Sequence, residues 1–200
     1  MDISYFGNNK NWKEITREER LFCSHLYHKL LEPGNIKQFI EWLNTIKSPV
    51  VDFTNTIKLN SDTYWEPAFE VCFYRDLLRA NGFGVKENLE KLKSNNYIGE
   101  EAINLIKRTF DLALFSEDTI VIIEAKAAQG LTSTQFKEFE TDENLIKGVF
   151  EFLNLKMPRI VFIILAAEQY YQSTSFRSLK GVGKVNLVEK LEMVKARFMA

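Results

Sequence analysis

The chain has 200 residues, of which 46% are hydrophobic and 26% charged, a composition and length that suit one globular domain with its own core. Its formal net charge of −1 gives no overall bias toward nucleic acid, and no apolar run approaches the ~20 residues of a membrane span. Cys23 and Cys72 form no CxxC pair, which argues against a disulfide framework and against a zinc cage.

The first sixty residues are predicted to form a helical layer. Their start, "MDISYFGNNKNWKEITREER", lacks the basic and apolar segments of a secretory signal, so we expect a cytoplasmic protein without a membrane partner. Thr16 and Glu19 have capping-box spacing, which predicts a helix over residues 17–32. "EPGN" ends that helix, and "IKQFIEWLNTI" begins a second one.

The next segment shows helical spacing of its apolar residues. "TYWEPAFEVCFYRDLLRANGFG" predicts a third helix from Trp65 to Asn81, with Gly82 as its stop. "GFGVKE" then predicts a short strand, and "GEEAINLIKR" a short helix.

Strands and helices alternate in the second half. "TIVIIEA" and "RIVFIIL" are short and rich in β-branched residues, which is typical of strands buried on both faces. The segment between them predicts a helix with Ser133 or Thr132 as N-cap, and "GKVNLVEKLEMVKARFM" predicts a final helix. Residues 173–200 hold six basic and two acidic side chains, which indicate either a local basic surface or the solvated face of that helix.

This order predicts a single mixed α/β (α+β) domain built in layers. Its parts are a helical N-terminal extension (1–60), a core (61–170) and a basic, helical C-terminal tail (171–200).

Three charged residues, Asp111, Glu124 and Lys126, interrupt the apolar segment "FDLALFSEDTIVIIEAKA". If Glu117 and Asp118 are the two loop residues of a tight hairpin, Asp111 lies opposite Glu124, and Lys126 follows on the same face. A three-residue loop would separate the two carboxylates onto opposite faces unless a bulge restored them. The register of this hairpin therefore decides whether the three residues form a site.

Directly opposed carboxylates among apolar neighbours repel each other unless a cation or a proton lies between them. Asp111, Glu124 and the Ala125 carbonyl offer oxygen ligands, which suit Mg²⁺, with Mn²⁺ as a substitute. Lys126 would orient or deprotonate an attacking water, or neutralise charge on phosphorus. The set predicts phosphodiester hydrolysis. The alternative is an ion pair between Asp111 and Lys126, with Glu124 facing solvent.

"FD", followed after twelve residues by "EAK", resembles the motif of the PD-(D/E)xK nuclease superfamily, whose fold is restriction-endonuclease-like. The resemblance covers about Trp65 to Ala166, and Phe110 stands where the motif's variable proline can occur. It implies Asp111 and Glu124 as metal ligands and Lys126 as the catalytic lysine.

"AFEVCFYRDLLRANGF" is similar to a helix of Mrr-like members of this superfamily. That likeness implies that Glu70 is a further catalytic and metal-binding residue, with Glu66 one turn earlier as the reserve. The resemblance also implies a polar nucleic-acid contact from the helix after the "EAK" strand, here Gln135 or Lys137.

We therefore expect a restriction-endonuclease-like core, with a central mixed sheet flanked by helices and an N-terminal helical layer. The expected activity is that of a Mg²⁺-dependent endonuclease or exonuclease on nucleic acid, DNA before RNA. Arg177, Lys180 and Lys184 would contact its backbone, and a double-strand cut would need two active sites, which makes a homodimer plausible. The alternatives are a catalytically silent nucleic-acid-binding module on the same fold and a protein-interaction module.

Overall fold

The computed structural model describes residues 18–45, 58–82, 84–95, 108–126, 133–166 and 185–189. Over these residues the chain forms five helices and five strands, in the order α1 (Glu18–Leu30), α2 (Asn35–Thr45), β1 (Glu66–Val71), α3 (Phe73–Ala80), α4 (Val85–Ser94), β2 (Phe110–Phe115), β3 (Thr119–Lys126), α5 (Ser133–Phe152), β4 (Arg159–Ala166) and β5 (Val185–Glu189). None of the described helices is long and apolar enough to cross a membrane.

The five strands form one sheet whose spatial order, β1-β2-β3-β4-β5, is also their order in the chain. β1, β2 and β3 pair antiparallel, whereas β3, β4 and β5 pair parallel. A parallel pair needs a crossover connection, and α5 supplies it between β3 and β4. The predicted mixed sheet flanked by helices is therefore confirmed.

Helices cover both faces of the sheet. One hydrophobic cluster joins α1 and α2 to the first face and includes Leu26, Leu43 and Ile123. A second cluster joins α3, α4 and α5 to the opposite face and includes Tyr74 and Ile122. Neighbouring residues of β3 thus enter different clusters, as the alternation of side chains along a strand requires. The N-terminal helices share their core with the sheet.

Several predicted elements are confirmed. The helices predicted at residues 17–32, in "IKQFIEWLNTI" and between the two β-branched runs correspond to α1, α2 and α5. The strands predicted in "FDLALF", "TIVIIEA" and "RIVFIIL" correspond to β2, β3 and β4. Most of the helix predicted in "GEEAINLIKR" lies outside the described residues.

The helix predicted from Trp65 to Asn81 is wrong in its first half. Residues Glu66–Val71 form strand β1, and helix α3 begins only at Phe73. Pro67 lies within β1, at the edge of the sheet, where a residue without an N–H is tolerated. Gly82 does follow the helix, with a φ of 78° that suits glycine.

The strand predicted in "GFGVKE" is also wrong, because helix α4 begins at Val85. Asn88 and Leu92 are buried at helical spacing in this segment. The short apolar start matched a strand, but the longer pattern is helical.

The C-terminal helix prediction fails over the residues that can be compared. Val185–Glu189 forms strand β5, which pairs in parallel with β4 from Phe162 to Ala166. The alternating apolar residues of "VNLV" suit a strand as well as a helix, and pairing with an open sheet edge decides between them. The remainder of the predicted helical tail lies outside the described residues.

Candidate active site

The hairpin between β2 and β3 has the predicted turn. The Ser116 N–H donates to the Thr119 carbonyl oxygen at 2.9 Å, which leaves Glu117 and Asp118 as the two loop residues. The register runs from Phe115 opposite Ile120 to Leu112 opposite Ile123. The predicted turn and register are confirmed over these pairs, and one further step of the same register puts Asp111 opposite Glu124.

Asp111 lies where the backbone pairing between β2 and β3 ends. Its Oδ2 accepts a hydrogen bond of 3.0 Å from the Ala125 N–H, which fixes the carboxylate to β3 by a main-chain contact. Because the N–H and C=O of a strand residue point toward the same neighbouring strand, the Ala125 carbonyl also faces β2. The three predicted oxygen groups thus belong to one end of the hairpin.

Glu124 is half-buried on β3 and pairs with Ile164 of β4. Its neighbours Ile123 and Ala125 belong to the first cluster, so alternation places Glu124 on the opposite face of the sheet. Lys126 is the last residue of β3 and pairs with Ala166. The lysine is therefore on the expected strand, two residues after Glu124, and its side chain lies outside what the structure describes.

Glu70 lies on β1, not on a helix as predicted. The β1–β2 register pairs Phe69 with Leu112 and Val71 with Phe110, so Glu70 falls opposite Asp111. Phe69 packs against the first cluster and Val71 against the second, which means that alternation breaks at Glu70. Glu70 has a φ of 49°, uncommon for a residue other than glycine.

The Glu70 carboxylate is directed to α1. Its Oε1 lies 2.9 Å from Arg20 Nε, in an ion pair whose side chains are 36% and 59% exposed, respectively. Glu66, the reserve candidate, is exposed and pairs with Phe115, at the other end of β2 from Asp111. Of the two glutamates, only Glu70 reaches the row of Asp111 and Glu124.

The metal prediction can be compared with the donor groups present. Among the described residues, no three His, Cys, Asp or Glu side chains are grouped so that they could hold a metal ion. Asp111 and Glu124 supply carboxylate oxygens, and Ala125 supplies a carbonyl oxygen at the same end of the hairpin. This donor set fits a hard cation that keeps several of its waters, as Mg²⁺ does.

A buried polar network lies beside the start of β2. Asp142 of α5 is fully buried, and its Oδ1 accepts a hydrogen bond of 2.7 Å from the Tyr74 hydroxyl. Its Oδ2 lies 2.6 Å from Nε of Arg108, whose side chain is 16% exposed. The Arg108 guanidinium also lies over the Phe110 ring, 5.5 Å from its centroid. The network therefore ties α3 and α5 to the residue preceding Asp111.

Burial raises the pKa of the Tyr74 phenol above its ordinary value of 10.0, and the negative charge of Asp142 acts in the same direction. The phenol therefore stays protonated and donates to the carboxylate.

Sequence reasoning missed both Arg20 and Asp142. A signal existed for Asp142, which shares a helical face with the buried Leu145, Ile146 and Val149 and is the polar residue on that face. No local pattern marks Arg20, whose partner is fifty residues away in the chain.

The predicted nucleic-acid contacts are not described. Gln135 and Lys137 lie in α5, but their side chains fall outside the described part of the structure. The same holds for the whole of Arg177, Lys180 and Lys184.

We found no family model that matches this chain, and no match at a significant level among curated proteins or solved structures.

Proposed function

We propose that this protein is a metal-dependent nuclease of the restriction-endonuclease-like fold that hydrolyses phosphodiester bonds, DNA before RNA. The observation that carries the proposal is the β2–β3 register, which brings Asp111 opposite Glu124 and leaves Lys126 two residues further along β3. A mixed sheet flanked by helices supports it as well.

Two carboxylates placed opposite each other are destabilising on their own, so a cation between them has a clear electrostatic advantage. Asp111, Glu124 and the Ala125 carbonyl would hold Mg²⁺ or Mn²⁺. When bound, the ion supplies Lewis-acid polarisation of a phosphate oxygen and acidifies a water ligand. The hydrogen bond from the Ala125 N–H orients the Asp111 carboxylate before any ligand arrives.

Lys126 supplies the remaining chemistry in this proposal. Its amine would orient or deprotonate the water that attacks phosphorus, or its ammonium would neutralise the charge that develops there. The new P–O bond forms as the bond to the leaving oxygen breaks, and that oxygen leaves as an alcohol after it takes up a proton. No other residue is assigned to this step.

The test is cleavage of plasmid DNA, single-stranded DNA and RNA by the purified protein in Mg²⁺, in Mn²⁺ and in EDTA. We expect cleavage with either metal and none in EDTA. Lys126→Ala should lower turnover by about 10²-fold or more, the range for loss of a positioned acid–base group. Lys156→Ala is the matched control, because Lys156 is exposed between α5 and β4. Equal rates for the two lysine variants would remove Lys126 from the mechanism.

One observation favours a catalytically silent module on the same fold. Glu70 contacts Arg20, and the described residues contain no ready group of three metal-binding side chains. The cleavage test separates the alternatives, because a silent module would bind nucleic acid without cutting it in any metal.

A further inference from the structure

Glu70 stands at an unusual point of the backbone. It is one of the few described residues other than glycine with a positive φ, and the alternation of β1 breaks at its position. Such conformations persist only where surrounding contacts hold them. The 2.9 Å ion pair with Arg20 is a contact of this kind, because it attaches the side chain of Glu70 to helix α1.

The same residue is the third acidic position in a row across the sheet. The registers of the two strand pairs put Glu70 opposite Asp111, and Asp111 opposite Glu124. A carboxylate in this row lies beside the proposed cation site, but its charge is already balanced by a guanidinium of the protein itself.

We propose that Arg20 and Glu70 form a latch that regulates the proposed cation site, an inference that rests on the proposed function. Without a divalent cation, Arg20 holds the Glu70 carboxylate on the α1 side. A cation bound at Asp111 and Glu124 competes with Arg20 for that carboxylate, and Glu70 joins the site when the ion pair opens. Arg20 is thus a positioning residue that sets the cation affinity.

The ion pair is partly exposed, so the competition is modest. Exposed ion pairs stabilise proteins weakly, and opening one costs no more than about a fivefold change in an equilibrium constant. Removing Arg20 should therefore tighten cation binding by about twofold to fivefold, and only while Glu70 is present.

The experiment is a calorimetric titration of Mn²⁺ into the full chain and four variants. Arg20→Gln should bind more tightly than the wild type, and Glu70→Gln more weakly. The double variant should match Glu70→Gln, because without the carboxylate Arg20 has nothing to withhold. Lys37→Gln is the matched control, since it removes an equally exposed lysine–aspartate pair, Lys37 with Asp62, elsewhere on the N-terminal helices.

The outcomes distinguish the latch from the site. If Mn²⁺ binds but Arg20→Gln and Lys37→Gln both keep the wild-type affinity, the latch is wrong and the proposed function stands. If Arg20→Gln tightens binding equally in the Glu70→Gln background, Arg20 acts by long-range charge alone, which also overturns the latch. Failure of the wild type to bind Mn²⁺ overturns the proposed function, and the latch with it.

Discussion

The buried carboxylate of Asp142 offers a sharp test of what holds the region next to the candidate site together. Asp142→Ala would leave Arg108 with a guanidinium that is only 16% exposed and without its carboxylate partner. It would also remove the acceptor of the Tyr74 hydroxyl. A charge and a hydroxyl would then remain buried without the group that balances them.

The magnitude follows from the cost of breaking a buried ion pair by removing one partner, which is about 3–5 kcal/mol. That is a large part of the roughly 5–15 kcal/mol by which a domain is stable. For a chain of this size it corresponds to a fall in Tm of between about 6 and 20 °C.

Chemical unfolding in urea, followed by circular dichroism, measures this change as a shift of the midpoint. Glu143→Ala is the matched control, because Glu143 is the next residue of α5 and forms an exposed i,i+4 ion pair with Lys147. We expect the control to lie within about 0.5 kcal/mol of the wild type.

A double variant, Asp142→Leu with Arg108→Met, separates loss of the pair from loss of one member. Since a buried ion pair is about as stable as apolar groups of similar volume, the double variant should recover most of the stability lost in Asp142→Ala. An Asp142→Ala protein within 1 kcal/mol of the wild type would refute the reasoning, because the network would then not stabilise the fold.

Three further predictions concern charge. Asp111→Asn should weaken Mg²⁺ binding in calorimetry, yet raise the Tm in EDTA, because it removes repulsion against Glu124 and keeps an acceptor for the Ala125 N–H; unchanged Mg²⁺ affinity would contradict the opposed-carboxylate site. Tyr74→Phe should destabilise the protein by about 1–3 kcal/mol at pH 7. The raised pKa of Tyr74 gives stability that is present below pH 10.0 and is lost as the pH rises, so this difference should shrink in alkaline unfolding titrations; a constant difference would contradict it. Replacing Lys180 and Lys184 by Ala should flatten the log–log salt dependence of DNA binding by up to about 2 units, measured in Ca²⁺ on a Glu124→Gln background; an unaltered slope would leave these lysines as solvated side chains.

The hairpin could be predicted from sequence because all of its determinants are local. Two loop residues, Glu117 and Asp118, fix the register of the strands on either side, and the apolar alternation agrees with it. The central strands β3 and β4 were equally predictable, since their β-branched runs suit burial on both faces.

The edge strands could not be predicted in this way. "EPAFEV" and "VNLVE" carry patterns that fit a helix as well as a strand, and pairing with β2 and β4 decides the outcome. The same limit applies to the contacts around the candidate site. Arg20 meets Glu70, and Tyr74 meets Asp142, across long separations in the chain that no short motif encodes.

The position of β5 has a consequence for shortened forms of the protein. β5 covers the edge of β4, whose segment "IVFIILA" has no charge, no proline and a high β-propensity. Removing residues from 185 onward would expose that edge as a template for pairing between molecules. We expect such a truncated chain to aggregate, which light scattering would detect, whereas a scattering profile equal to that of the full chain would mean that β4 is protected in another way.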